Sequence, residues 1–254
     1  MPSQGRACGP VGLKYGMLTI LAIETSSEQA SCALLRGDTV ITRVSEGVRT
    51  HSQSMLPMVQ ELLAEAGIAL KDCDAIAFGS GPGSFTGVRT ACGIAQGLAF
   101  GGDLPAVPVV TLDAMALACH QQHGANDVLA VLDARMGEVY WAQYKFESGA
   151  PIAVVAPVLS APGDVAPQGA PVACGNGLSA YADAFPAGGH ATVMPHAAQI
   201  AQLAAIDFAA GKTVTAAEAQ PLYLRNKIAY TQAERREMAT AATAAAAKTA
   251  EGGA

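Results

Sequence analysis

The chain has 254 residues, a net charge of −6 and a sequence pI near 5.3. An apolar content of 51% permits a sizeable core, whereas a charged content of 14% is low for a globular protein. The lack of any lysine- and arginine-rich run argues against a protein that binds nucleic acid alone. No segment has the pattern of a signal peptide or a membrane span, so we expect a soluble cytoplasmic protein. The six cysteines include no Cys-x-x-Cys pair, and we expect them to be reduced.

The two ends of the chain differ from its middle in composition. Residues 1–16 are rich in glycine and proline without periodicity, which predicts a disordered extension before Met17. Residues 231–254 form a low-complexity stretch rich in alanine and threonine, to which we assign no role. The region between these ends is predicted to form two subdomains, over residues 17–111 and 112–230.

Apolar runs predict the order of strands and helices in the first half. Three strands of a meander are predicted at Leu18–Ile23, Ser31–Leu35 and Val40–Val44. A helix is predicted from Met55 to Ala66. We expect Ser54 to be its N-cap, Pro57 to lie in its first turn and Gly67 to end it. A strand at Ala75–Phe78, a glycine-rich helix to about Gly101 and a strand at Ala106–Val110 follow.

The junction between the Ala75–Phe78 strand and the glycine-rich helix has the sequence Gly81-Pro82-Gly83-Ser84-Phe85-Thr86-Gly87-Val88-Arg89. Glycines at the start of a helix leave backbone N–H groups available to an anion or a nucleotide phosphate. The junction lacks a Walker-type lysine, so we favour the alternative of a tight structural turn. The candidate anion or nucleotide residues are Thr25, Ser26, Ser27, Gly81, Gly83 and Arg89.

The glycine-rich helix and the helix before it are predicted to form a surface for a partner. Gly87, Gly93 and Gly97 stand inside the second helix, where each glycine costs about 1 kcal/mol relative to alanine. A close approach of another backbone would explain that cost. The first helix carries more apolar residues than one narrow stripe requires, although packing on its own sheet is the alternative. The predicted interface residues are Met55, Leu56, Met58, Val59, Leu62, Leu63, Gly87, Ala91, Ile94 and Ala95.

The order of elements repeats in the second half. Strands are predicted at Val128–Asp133, Glu138–Phe146, Ile152–Leu159 and Pro171–Cys174, and a helix at His196–Ala210. Each half therefore has the order ββ-β-α-β-α. Two such halves predict an α/β protein with the duplicated actin/hexokinase-like (ASKHA) architecture and a cleft between its subdomains. Asp133, Arg135 and Glu138 lie near that cleft, either as a catalytic acid with an orienting arginine or, as we prefer, as an ion pair in a turn.

Several segments together resemble the TsaB (YeaZ) family over about residues 17–230. The segments are Leu21–Ser27, His51–Gly67, Gly81–Arg89, Asp133–Tyr140 and Pro221–Arg225. The resemblance implies a bacterial accessory protein in the formation of N6-threonylcarbamoyladenosine next to the tRNA anticodon. It implies pairing with the catalytic paralogue TsaD, joined by the ATPase TsaE, with the threonylcarbamoyl-adenylate made by TsaC as donor. The chain alone is expected to be a monomer or a homodimer and to meet tRNA only within the complex.

Two departures bear on chemistry. Leu112 and Ala116 stand where TsaD-like relatives carry a His-x-x-x-His metal pair, and neither side chain can bind a metal. His120 and His123 follow without an evident further ligand, and Glu24 replaces the aspartate more usual in the family. We therefore expect no catalytic residue, no metal and no tightly bound cofactor. ATP or ADP is expected in the partners or at the joint surface with them rather than in this chain alone.

The alternative function is an ATP-dependent small-molecule kinase of the actin-like superfamily. Such an enzyme would carry an Asp-x-Gly phosphate loop where Asp133-Ala134-Arg135-Met136 stands. Its adenosine site would correspond to the weak match Gly175-Asn176-Gly177. A third hypothesis, direct binding of tRNA by the chain, conflicts with its acidic pI.

Overall fold

The computed structural model of the chain describes residues 18–45, 51–147, 149–185 and 187–225. The predicted extension at 1–16, the start at Met17 and the tail at 231–254 lie outside the described residues. Residues up to Leu224 belong to one unit, which is the subject below. Arg225 begins a second unit, of which no other residue is described.

A five-stranded sheet forms from the first half. Its elements are β1 (Thr19–Glu24), β2 (Ser31–Arg36), β3 (Thr39–Val44), α1 (His51–Ala66), β4 (Ala75–Gly81), α2 (Phe85–Gly102) and β5 (Ala106–Val110). The strand order is β3-β2-β1-β4-β5, with β1, β2 and β3 antiparallel and β4 parallel to both β1 and β5. The predicted meander is confirmed, and β5 has the predicted bounds.

Helix α1 begins earlier than predicted. It starts at His51, so Ser54 is not an N-cap; its hydroxyl donates to the His51 carbonyl oxygen at 3.3 Å. Pro57 consequently lies in the second turn, where it has no N–H to donate to the carbonyl four residues before it. The predicted end is confirmed, because Gly67 follows the helix with a φ of 65°.

The second half supplies a smaller sheet. Its elements are α3 (Thr111–His123), β6 (Asp127–Arg135), β7 (Glu138–Glu147), β8 (Ala150–Ser160), β9 (Val172–Cys174), α4 (Gly177–Ala180) and α5 (Ala197–Ala209). The strand order is β8-β7-β6-β9, and β9 runs parallel to β6. A single 3-10 turn at Pro162–Asp164 occupies the place that α1 holds in the first half. Helix α3 was not assigned from the sequence.

Helices α3 and α5 form a central layer between the sheets. Helix α5 packs on β1 and β2 of the first sheet, whereas α3 packs on β6 of the second. One core cluster joins residues of both sheets to these helices, including Ile20, Val107, Met115, Tyr144 and Ile200. Helices α1 and α2 cover the opposite face of the first sheet, away from this central layer.

The described cysteines are buried and free. They are Cys32, Cys73, Cys92, Cys119 and Cys174, while Cys8 lies outside the described residues. Burial raises the pKa of the Cys32 thiol to about 12 and that of Cys73 to about 11. Both thiols therefore remain protonated and unreactive at neutral pH. Of the helices that the structure describes, none is long and apolar enough to cross a membrane.

Candidate functional site

Two loops meet at one edge of the first sheet. The loop that begins with Thr25 follows β1, and Pro82–Ser84 connects β4 to α2. Because β1 and β4 are adjacent and parallel, their carboxyl ends lie side by side. The structure therefore brings together Thr25, Ser26, Gly81 and Gly83 from the predicted anion site.

The two loops are joined by hydrogen bonds within the chain. The Thr25 hydroxyl donates to the Gly87 carbonyl oxygen at 2.7 Å, and the Ser84 N–H donates to the Ser26 carbonyl oxygen at 2.8 Å. Ser84 caps α2, its hydroxyl accepting from the Gly87 N–H at 3.3 Å. The N–H groups of Ser84 and Gly87, two of the donors that an anion could use at this helix start, are therefore already engaged.

Gly83 and Gly87 are required by the close contact of these loops. A Cβ at Gly83 would lie 2.6 Å from the Ser26 carbonyl oxygen, and one at Gly87 would overlap the carbonyl oxygen of Thr25. Both obstacles are backbone atoms, which cannot turn aside as a side chain can. The contacts account for these glycines without a ligand and favour the structural alternative over an anion site.

Glu24 is a buried carboxylate at the end of β1. One carboxylate oxygen accepts from the Ser26 N–H, and the other lies against Gly79, where a Cβ would overlap it. That second oxygen, Oε2, is buried without a hydrogen-bond partner. Burial raises the pKa of Glu24 to about 6, partly offset by the contacts with Ser26. Sequence reasoning missed the pairing of Glu24 with Gly79, because it joins two strands distant in the chain.

The raised pKa of Glu24 predicts that the free energy of unfolding decreases as the pH rises. Because the folded state binds the proton more tightly than the unfolded state, stability is fullest below about pH 4.5 and falls as the pH rises through about 6. We expect this group to remove about 2 kcal/mol between pH 4.5 and pH 8. Glu24→Gln cannot ionise, so the wild-type minus variant difference in unfolding free energy should change by that amount between urea titrations at the two pH values. A pH-independent difference would contradict the assignment.

Arg89 and Ser27 do not join the anion candidates. The Arg89 Nε donates to the Tyr223 hydroxyl at 2.8 Å, and its guanidinium lies 3.7 Å from the centre of the Phe85 ring. The Ser27 hydroxyl donates to the carbonyl oxygen of Gln29 at 3.3 Å. Neither side chain therefore takes part in the contact between the loop after β1 and the start of α2.

The predicted ion pair at the second sheet is present. Asp133 Oδ2 lies 3.0 Å from Arg135 Nη1, and its Oδ1 accepts from the Arg135 N–H at 2.7 Å and the Tyr181 hydroxyl at 3.1 Å. Arg135 also lies 3.5 Å from Glu28, which follows β1. Glu138 is half-buried at the start of β7. Asp133 is thus held in place by the turn that it stabilises.

Gly175 and Gly177, the glycines of the segment that weakly matches an adenosine site, allow close packing on Val131. A Cβ at Gly175 would overlap the Val131 carbonyl oxygen, and one at Gly177 would lie 2.6 Å from Val131 Cγ1. Both glycines let the segment after β9 lie directly on β6. Because packing accounts for both glycines, they do not support the alternative function as a kinase.

The histidines near α3 make ring contacts. His120 stacks on Phe146 at 4.2 Å, with its Nδ1 2.9 Å from the Ala125 carbonyl oxygen, and His123 stacks on His190 at 3.4 Å. Leu112 and Ala116 are fully buried. Within the described part of the chain, no group of three His, Cys, Asp or Glu side chains could hold a metal ion.

Most of the predicted interface residues face the protein's own core. The buried ones are Met55, Met58, Val59, Leu62, Gly87, Ala91 and Ala95. The structure corrects the assignment for these residues, because α1 and α2 use all of them but Gly87 to cover the first sheet, and Gly87 lies against the Thr25 carbonyl oxygen in the loop after β1. Leu56 is exposed, and Leu63 and Ile94 are half-buried, so these three remain available to a partner.

The outward side of α2 carries an open glycine ridge, formed by Gly93, Gly97 and Gly101. A Cβ at any of the three would meet no atom within 4 Å. These glycines therefore weaken the helix without serving any packing in the part of the chain described. Phe100, 84% exposed, stands beside the ridge, and Leu56 of α1 is 46% exposed.

Known proteins resemble the chain over most of its length. The family model described as "TsaD: tRNA N6-adenosine threonylcarbamoyltransferase" matches residues 39–252. "tRNA threonylcarbamoyladenosine biosynthesis protein TsaB" of Escherichia coli K12 is 41% identical over 224 residues, covering 84% of this chain and 97% of that protein. The protein of the same name from Haemophilus influenzae is 39% identical over 235 residues, covering 87% and 99%. The chain belongs to the TsaB family.

A solved structure supports both the TsaB family and its fold. YeaZ from Pseudomonas aeruginosa superposes with a TM-score of 0.77 at 40% identity, covering 82% of this chain and all of that one. Together with the TsaD-type match, this confirms the predicted duplicated actin/hexokinase-like α/β fold. The resemblance drawn from the sequence motifs is likewise confirmed.

Proposed function

We propose that this TsaB-family chain is the non-catalytic subunit required to form N6-threonylcarbamoyladenosine next to the anticodon of tRNAs. It binds and supports TsaD in the cytoplasm and recruits TsaE to the complex. The names of its relatives place those proteins in the biosynthesis of this nucleoside. The accessory role for this chain is supported by the buried Leu112 and Ala116 at the positions of the metal pair.

The open glycine ridge of α2 is the observation that carries the proposal. Glycines at four-residue spacing on an exposed helix let a second helix come within close backbone distance. Among the described residues, no atom lies within 4 Å of a Cβ built at Gly93, Gly97 or Gly101. We propose that TsaD packs on this ridge, with Leu56 and Ile94 beside it, and that a second copy of the chain uses it when TsaD is absent.

Nucleotide and tRNA contacts are assigned to the partners. The loop after β1 is closed against the start of α2 by the bonds from Thr25 and to Ser26. Any ATP or ADP is proposed to lie in a partner or at the joint surface. The net charge of −6 supports contact with tRNA only through the complex.

Reconstitution of the modification tests this function. Unmodified tRNA, threonylcarbamoyl-adenylate, ATP, TsaD and TsaE would be incubated with and without the chain, and the modified nucleoside measured by mass spectrometry. We expect modification only when the chain is present. Equal modification without it would contradict the proposal, as would turnover of Mg-ATP and a small acceptor by the isolated chain, which would favour the kinase.

A further inference from the structure

An arginine between two aromatic rings stands at the start of the exposed side of α2. Phe85 and Arg89 are four residues apart and therefore share one side of the helix. Tyr223 reaches them from the segment near the end of the described chain. We call Phe85, Arg89 and Tyr223 the arginine cluster.

The guanidinium of this cluster is held in one orientation. It stacks 3.7 Å from the centre of the Phe85 ring, and its Nε donates to the Tyr223 hydroxyl at 2.8 Å. The Tyr223 ring centre lies 5.7 Å away, and the two rings are 6.2 Å apart. Because Nε is engaged and one face is covered, the Nη1 and Nη2 groups are left to serve a ligand with little further loss of side-chain entropy.

The arginine cluster is exposed, and within the described part of the chain no ion pair compensates its charge. Phe85 is 39% and Tyr223 45% exposed, although aromatic rings of this size are ordinarily covered. The ion pairs formed among the described residues involve Arg43, Arg135 and Lys212, and none includes Arg89. A fixed arginine flanked by exposed aromatic rings has the composition of an interface hot spot.

We infer that the arginine cluster binds a carboxylate side chain of the partner subunit, at one end of the open glycine ridge. The inference rests on the proposed function. Arg89, Gly93 and Gly97 follow one another at four-residue spacing along α2, so the cluster continues the ridge. A helix lying on the glycines would bring an Asp or Glu of that partner to the two Nη groups, which match a carboxylate in bidentate geometry.

Charge and composition favour a carboxylate over a nucleic-acid phosphate. The chain has 21 acidic and 15 basic residues, and such a surface repels a polyanion. The arginine cluster holds one cation rather than the row of cations that follows a phosphate backbone. Its exposed rings, together with the glycine ridge, suit an apolar protein surface with a single acidic side chain.

The test is the affinity of the chain for cognate TsaD, measured by isothermal titration calorimetry at low and moderate salt. We expect Arg89→Gln to weaken binding by about tenfold or more and to reduce its salt dependence. Arg89→Lys, which keeps the charge but loses the planar fork, should give an intermediate loss. Arg36→Gln, at an exposed arginine ending β2, is the matched control and should bind as the wild type does.

The outcomes separate this inference from the function on which it rests. If the wild-type chain does not bind TsaD, both are wrong. If it binds and Arg89→Gln binds equally well, only the carboxylate contact is wrong. If Arg89→Gln leaves TsaD affinity unchanged but weakens tRNA binding by the assembled complex in a gel shift, the cluster contacts phosphate and the inference is overturned.

Discussion

Gly87→Ala is expected to lower the free energy of unfolding by about 3 kcal/mol, as over-packing a rigid contact does. A Cβ at this position would overlap the Thr25 carbonyl oxygen, so α2 would have to move away from the loop after β1. That movement would also strain the 2.7 Å bond from the Thr25 hydroxyl to the Gly87 carbonyl oxygen. Urea denaturation followed by circular dichroism measures the loss.

Gly93→Ala is the matched control in the same helix. A Cβ at Gly93 meets no atom of the described residues within 4 Å, so the substitution should raise the unfolding free energy by about 1 kcal/mol through helix propensity alone. The same chemical change would then have opposite signs at two positions six residues apart. Equal destabilisation by both variants would show that α2 is not placed as described.

Local signals were sufficient for most strands of the first half. Strand β5 has its predicted bounds, Ala106–Val110, because a short apolar run there follows Pro105 and ends where α3 begins at Thr111. The helix end at Gly67 was likewise predicted, since a glycine with positive φ is a local requirement. The start of α1 was wrong because Ser54 is a good cap by residue type alone, and the sequence does not reveal a turn of helix before it.

The sequence pattern does not predict helix α3, because this helix lies between the two sheets. Eight of its residues are buried, and apolar side chains surround most of its circumference. A helix between two sheets has no solvent-facing stripe, so the usual 3.6-residue period is weak. Its hydrogen bonds to the second sheet, such as the Tyr144 hydroxyl donating to Asp113 at 2.5 Å, join residues far apart in the chain. Such pairs cannot be read from local pattern.

The side of α2 that faces outward was the hardest feature to predict. Small residues occur all around this helix, so composition indicated that something approaches it closely but not on which side. Ala91 and Ala95 pack in the core beneath α2 and Gly87 packs on the loop after β1, whereas Gly93 and Gly97 are exposed. The distinction depends on how α2 sits against β4, which is a long-range property.

Gly97→Leu is expected to weaken binding of TsaD by about a hundredfold or more, since a bulky side chain on the open glycine ridge would hold the partner helix away. The chain alone should remain folded, because a Cβ at Gly97 lies more than 4 Å from every atom in the part of the chain that the structure describes. Val59 would be a poor choice for this test, since it is 2% exposed and its change to a charged residue would disrupt the core.

Co-elution with TsaD in size-exclusion chromatography and titration calorimetry would measure the effect. Ala209→Leu adds a similar side chain at an exposed position ending α5, on a different helix, and should bind as the wild type does. Gly97→Ala distinguishes the effect of side-chain size on TsaD binding from the effect of helix propensity on stability. It should stabilise the chain by about 1 kcal/mol and lose far less affinity than the leucine variant. Unchanged binding by a folded Gly97→Leu variant would place the partner elsewhere, because an occupied ridge cannot accept a leucine without separating the two backbones.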